Sequence, residues 1–273
     1  MSTVAELLRA ASGRVARTDA RILLSSVLGA PKESFIAHPE REVSDADERR
    51  FLSILEKAAA GCPIPYLTGL QAFWSRDFLV TSAVLIPRPD TETVVETALS
   101  LMGSVPNPRI LELGTGSGCI AVTIALERPD ATVHATDASP EALAVAKQNA
   151  ERLDAARIRF SLGNWLEAVP ADALYDLIVS NPPYIEPGDE HLEALKYEPI
   201  DALTDGVDGL SDIREIASNA RSHLTPGGYL VLEHGYDQGE AVRSILQACG
   251  FASCRTVRDL GGNERCTVGQ NPA

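Results

Sequence analysis

No apolar run in the sequence approaches the roughly 18–20 residues that a membrane-spanning helix needs, which argues against an integral membrane protein. The first residues do not read as a secretory signal, because Glu6 and Arg9 interrupt their apolar pattern. Cysteine is scarce and scattered. Cys62, Cys119, Cys249, Cys254 and Cys266 are odd in number, form no Cys-x-x-Cys pair and share no zinc spacing with histidine. Neither a disulfide framework nor a metal site is expected, and the five read as small buried hydrophobes. His38, His134, His191, His223 and His234 follow no pattern and read as structural. No carboxylate pair or Ser-His-Asp set stands out. Positive charge is also in deficit, since 24 Lys and Arg against 38 Asp and Glu leave a net charge of −14. Residues 1–60 hold nine of each sign, so the acidic excess lies wholly in the remainder. A protein that grips a phosphate backbone draws on a basic face, so nucleic acid is a poor first partner. A cytoplasmic monomer with no membrane contact and no direct nucleic-acid contact is the expectation.

What is present is an ordinary globular composition, 45% hydrophobic and 23% charged over 273 residues, enough for one large core with a small satellite. Residues 1–62 read as a helical bundle. Val4, Leu7, Leu8 and Ala11 share one helical face that Gly13 ends, and Thr18 is placed to cap a second helix that Gly29 and Pro31 stop. Ser44 and Asp47 form an S-x-x-D box before a third helix carrying Phe51, Leu52 and Leu55. Strand-like stretches follow in a linker, 63–88, as a hairpin of 72–74 and 78–80. From 89 to 273 apolar strands alternate with helices. Strands are expected at 109–113, 132–136, 157–162, 174–180, 229–233, 252–258 and 265–269, and helices at 91–102, 119–127, 140–153, 213–223 and 238–249. Such alternation means βαβ crossovers and a mainly parallel α/β sheet. The last two strands have only 259–264 between them and should form an antiparallel hairpin, giving seven strands with one reversed.

The first of these strands ends in Glu112-Leu113-Gly114-Thr115-Gly116-Ser117-Gly118 and runs straight into a helix, whose free N–H groups point at any ligand there. A dinucleotide fingerprint would want Gly or Ala where Cys119 stands. The acidic-x-G-x-G-x-G form instead resembles the first motif of S-adenosylmethionine methyltransferases, with Glu112 placed to face a cationic amino group. Asp137 closes the second strand, nineteen residues after Gly118, where it can accept from both ribose hydroxyls. That would suit NAD equally and leaves the cofactor open. Asn164 and Trp165 follow the third strand beside the place of an adenine; Asn164 can read the ring edge, while Trp165 contributes its backbone or packs only. The fourth strand delivers Asn181-Pro182-Pro183-Tyr184 at its C-terminal end. Two prolines remove two N–H donors and fix two φ angles, so carbonyls and the Asn181 side-chain oxygen become acceptors held in rigid directions. A planar –NH₂ group matches such a pair, and Tyr184 can stack on it.

Together these motifs resemble the methyltransferases that act on adenine or glutamine amino groups. Further stretches make the chain similar to the peptide chain release factor glutamine N5-methyltransferase (HemK/PrmC) family. They are Pro65-Tyr66-Leu67-Thr68-Gly69, Phe73-Trp74, Leu85-Ile86-Pro87-Arg88-Pro89-Asp90-Thr91-Glu92, Ile185 after the Asn-Pro-Pro-Tyr turn, Glu198-Pro199, Asp208-Gly209-Leu210 and Gly235-Tyr236-Asp237-Gln238-Gly239. Asp90, Asn164 and His234 depart from the family pattern. The resemblance implies a Rossmann-like methyltransferase fold and S-adenosylmethionine as cofactor, with S-adenosylhomocysteine as product. It implies cofactor contacts at 112, 114–118, 137, 164, 165 and 181, a substrate glutamine held by 181–184, and Asn181, Pro182 and Tyr184 as catalytic residues. The bundle would dock a release factor. Arg88 and Glu92 would close over the cofactor or pair to hold the linker. Glutamine methylation of a ribosomal protein and adenine-N6 methylation of DNA are the alternatives.

Overall fold

A computed structural model describes residues 2–155 and 157–273. The chain divides into two compact units, Met1–Leu70 and Gln71–Ala273.

The first unit holds α1 (Val4–Ala10), α2 (Arg17–Leu28), the single turn α3 (Ser34–Ala37), α4 (Asp45–Ala59) and α5 (Ile64–Thr68). Val4, Leu7, Leu23, Leu24, Phe51 and Leu55 form its core. Ser44 caps α4 by accepting the Asp47 N–H, while the Asp47 carboxylate takes the Ser44 hydroxyl instead of a backbone donor. The complete reciprocal box belongs to Thr3 and Glu6 on α1. Thr18 is not a cap, because α2 already begins at Arg17. The first residues of the expected linker form the helix α5, with proline in its first turn, where no N–H is needed.

The second unit opens on the hairpin of β1 (Leu70–Phe73) and β2 (Arg76–Leu79), turned through Trp74 and Ser75, both at positive φ. The strands lie a residue or two earlier than expected, because the turn takes two residues and not three. Then come α6 (Glu92–Met102), β3 (Arg109–Leu113), α7 (Cys119–Glu127), β4 (Thr132–Asp137), α8 (Pro140–Arg152), β5 (Arg159–Leu162), β6 (Tyr175–Ser180), the single turn α9 (His191–Ala194), α10 (Ser211–Ala220), β7 (Leu224–Glu233), α11 (Gly239–Ala248), β8 (Ala252–Arg258) and β9 (Glu264–Gln270). The sheet order is β5-β4-β3-β6-β7-β9-β8, with β9 antiparallel to both neighbours. Successive strand residues face opposite layers. Ile110, Leu177 and Val179 pack with α6 and α7, whereas Leu111, Leu113 and Ile178 pack with α10 and α11. Burial on both faces is what makes these strands continuous apolar runs. β7 starts five residues before the expected 229, because Pro226, Gly227 and Gly228 break its apolar pattern without ending its strand.

Cys119 and Cys266 are buried, but Cys62, Cys249 and Cys254 are only partly so. His134 joins Tyr175 and Ser161 at 2.7 and 2.8 Å, and His234 joins Thr267 at 2.9 Å, so both are structural. Among the described residues no helix is long and apolar enough to cross a membrane.

Candidate active site

Three strands end side by side at one edge of the sheet. Leu113 of β3 lies in register with Thr136 of β4 on one side and Ser180 of β6 on the other. The turns after them therefore open on a single crevice, at the place where the strand order reverses and open α/β sheets bind ligands. The crevice is a cavity of about 680 Å³. Of the expected residues, Glu112, those at 114–117, Asp137, Asn164, Trp165, Asn181 and Pro183 line it; Gly118, Pro182 and Tyr184 do not.

The glycine loop is held from both ends. Glu112, 1% exposed, accepts the Thr115 hydroxyl at 2.5 Å and the Ala121 N–H at 3.1 Å. Burial raises its carboxyl to about 8 against these two hydrogen bonds. Asp137 accepts the Gly116 N–H at 2.8 Å through one oxygen and the Ser139 N–H at 2.9 Å through the other; burial raises it as well. Gly114 sits at φ +70°, and a Cβ there would stand 3.2 Å from the Trp165 ring. The indole thus packs against the loop.

Asn181 leaves β6 with its Nδ2 donating to the Thr91 hydroxyl at 3.4 Å, so its Oδ1 is the end left to accept. Tyr184 gives its hydroxyl to Glu233 at 3.3 Å, and its carbonyl accepts from Gln238 at 3.0 Å. Gly209, at φ +69°, lies so close that a Cβ would come within 2.5 Å of that carbonyl. Arg88 lines the cavity but pairs with Glu198, whose second oxygen accepts the Ile86 N–H at 3.1 Å. Glu92 instead accepts the Trp74 N–H at 2.8 Å, so Arg88 and Glu92 neither pair nor close the pocket together. Thr91, Glu198, Gly209, Glu233 and Gln238 are the site residues that sequence reading left without a role. All but Glu233 stand within stretches that carried the family resemblance, which was the available signal.

The reversed β9 beside β7 gives this sheet the topology of the S-adenosylmethionine-dependent methyltransferases, and the crevice suits that cofactor. Its N–H-rich loop lies between a buried acid and a second acid at the end of the next strand. Residues 104–259 match a methyltransferase domain, and residues 1–69 match the PrmC N-terminal domain. The chain is 45% identical over 268 residues to the release factor glutamine methyltransferase of Xylella fastidiosa, covering 97% of each. It is 48% identical over 255 residues to that of Bordetella pertussis, covering 93% of this chain and 94% of the other. The chain belongs to the release factor glutamine methyltransferase family. A solved methyltransferase from Pyrococcus furiosus shares the fold, with TM-score 0.54 and 18% identity over 84% of this chain and 100% of the other.

Proposed function

We infer that this protein transfers the methyl group of S-adenosylmethionine to the side-chain amide nitrogen (N5) of the glutamine in the Gly-Gly-Gln loop of a peptide chain release factor. The observation that carries this reading is the Asn181 side chain. It lines the crevice beside the glycine loop, at the end of the adjacent strand, with its nitrogen committed to Thr91 and its oxygen left over.

In this reading Asn181 Oδ1 and the Pro182 carbonyl accept the two N–H groups of the glutamine amide, and Tyr184 bounds its plane. That grip turns the out-of-plane face of the nitrogen toward the cofactor, the alignment an in-line displacement needs. Glu112 faces the cofactor's ammonium, Asp137 its ribose, and Asn164 and Trp165 border its adenine. Bound S-adenosylmethionine supplies a methyl already activated on a sulfonium, so no strong base is required before attack. As the nitrogen–carbon bond forms and the carbon–sulfur bond breaks, the displaced amide proton leaves to solvent. The helical unit docks the release factor, and the protein acts as a monomer without nucleic acid or membrane. Incubation with labelled cofactor and a purified release factor, followed by mass spectrometry, should place one methyl on the glutamine of that loop. Label on another residue, or none, would refute the assignment.

A further inference from the structure

Behind the Asn-Pro-Pro-Tyr turn lies a carboxyl that the reaction as described does not use. Glu233 ends β7 and is 1% exposed. Its Oε1 accepts the Tyr184 hydroxyl at 3.3 Å, and the Thr91 hydroxyl lies near enough to the same carboxyl to favour its charged form. Its Oε2 is buried with no hydrogen-bond partner among the described residues. Arg265 is near but is engaged with Asp90 at 3.1 Å and Asp259 at 3.3 Å. Thr91 meanwhile accepts the Asn181 Nδ2. One carboxyl therefore touches Tyr184 directly and stands near the Thr91 hydroxyl that accepts from Asn181.

We propose that Glu233 is a positioning residue for the methyl transfer, orienting the Tyr184 ring and the Asn181 amide toward the acceptor from behind. This rests on the glutamine-methylation reading. An ionised carboxylate can only accept, so it fixes the Tyr184 hydroxyl as a donor, and its charge draws the nearby Thr91 hydroxyl hydrogen toward itself, leaving the Thr91 oxygen for the Asn181 amide. A protonated acid brings its own donor into the cluster and loosens that arrangement. Burial raises Glu233 to about 7, opposed by Thr91, Arg265 and Tyr184 and reinforced by Asp90. The other titratable groups facing it, Cys119 and Cys266, are themselves pushed up by burial and stay neutral. The cluster thus changes state near neutral pH.

The test compares wild type, Glu233→Gln and Thr91→Val on a purified release factor from about pH 6 to pH 8, with cofactor affinity measured by calorimetry. Wild-type kcat should rise through about pH 7. Glu233→Gln copies the protonated acid, so its kcat should be pH-independent and about tenfold below the wild-type plateau, with KM and cofactor Kd within about twofold of wild type. Thr91→Val cuts only the Asn181 branch; it should lower kcat and keep the inflection, and it carries the test alone should Glu233→Gln not fold. A Glu233→Gln profile superimposable on wild type, or a Thr91→Val kcat equal to wild type, overturns the proposal while leaving the methylation reading intact. A wild-type enzyme that labels no release factor would instead remove the reading beneath it.

Discussion

Asn181 and Glu112 both line the crevice and should fail in different ways. Asn181 is held by a single long hydrogen bond through its nitrogen, so removing it disturbs little packing. Asn181→Ala should lower kcat/KM for the release factor by about 100-fold or more, the range for losing an acceptor that aligns the reacting group. Cofactor Kd should stay within about threefold by calorimetry, and full activity would contradict the role. Glu112 should fail at binding. Its carboxyl is held at about 8 by burial, so near neutral pH it is largely a neutral acid. The cofactor's ammonium favours the charged form, so binding releases a proton and tightens as pH rises toward 8. Measured against Glu112→Gln, which cancels the titration of the cofactor's own amine, the wild-type advantage in Kd should grow from about pH 6 to pH 8. A constant ratio would show that Glu112 serves only the glycine loop.

At the level of elements, Asn149 ties three segments together. It lies on α8 with no exposure; its Oδ1 accepts the Leu79 N–H of β2 at 2.6 Å, while its Nδ2 donates to the Leu79 carbonyl at 2.9 Å and to the Ser117 carbonyl at 2.8 Å. The side chain imitates a neighbouring strand for the hairpin and fastens the glycine loop at the same time. Asn149→Ala leaves three backbone groups unsatisfied and should cost about 3 kcal/mol in denaturant unfolding. It should also weaken cofactor binding; stability lost with unchanged affinity would separate the hairpin from the loop. Nothing local marks Asn149 as special, because it is one polar residue on a helix whose partner stands 70 positions away. The same holds for Glu233 and Tyr184, 49 positions apart. What could be read in advance were features whose cause is local. Leu177, Ile178 and Val179 are fully buried and so form an unbroken apolar run, Ser139 caps α8 ahead of Pro140, and the Asn-Pro-Pro-Tyr turn announces its own rigidity. Where local signals conflicted, as in the proline-bearing α5 or the Pro226-Gly227-Gly228 entry to β7, tertiary pairing decided the outcome.

The described residues form three hydrophobic clusters, one in the first unit and one on each face of the sheet in the second, and the proposed division of labour follows the two units. The first unit buries Val4, Leu7, Leu23, Leu24, Phe51 and Leu55 in a core of its own, whereas the glycine loop, Asp137 and Asn181 all belong to the second. A fault confined to the first core should therefore reach the reaction only through substrate docking. Phe51, fully buried at the centre of that core, is the residue to remove. Phe51→Ala should destabilise the first unit by about 3–5 kcal/mol, the usual cost of emptying an aromatic site, which is comparable with the whole stability of so small a core. Thermal unfolding followed by tryptophan fluorescence and far-ultraviolet circular dichroism should then separate. Trp74 and Trp165 both lie in the second unit and should report an unshifted transition, while the circular dichroism loses helix earlier. Cofactor Kd should match wild type. The KM for the release factor should rise at least about tenfold, whereas transfer to a short peptide containing Gly-Gly-Gln, which has no surface for the bundle to hold, should be unaffected. Equal losses on the peptide and the full factor would mean that the bundle supports the catalytic unit itself and does not dock its substrate.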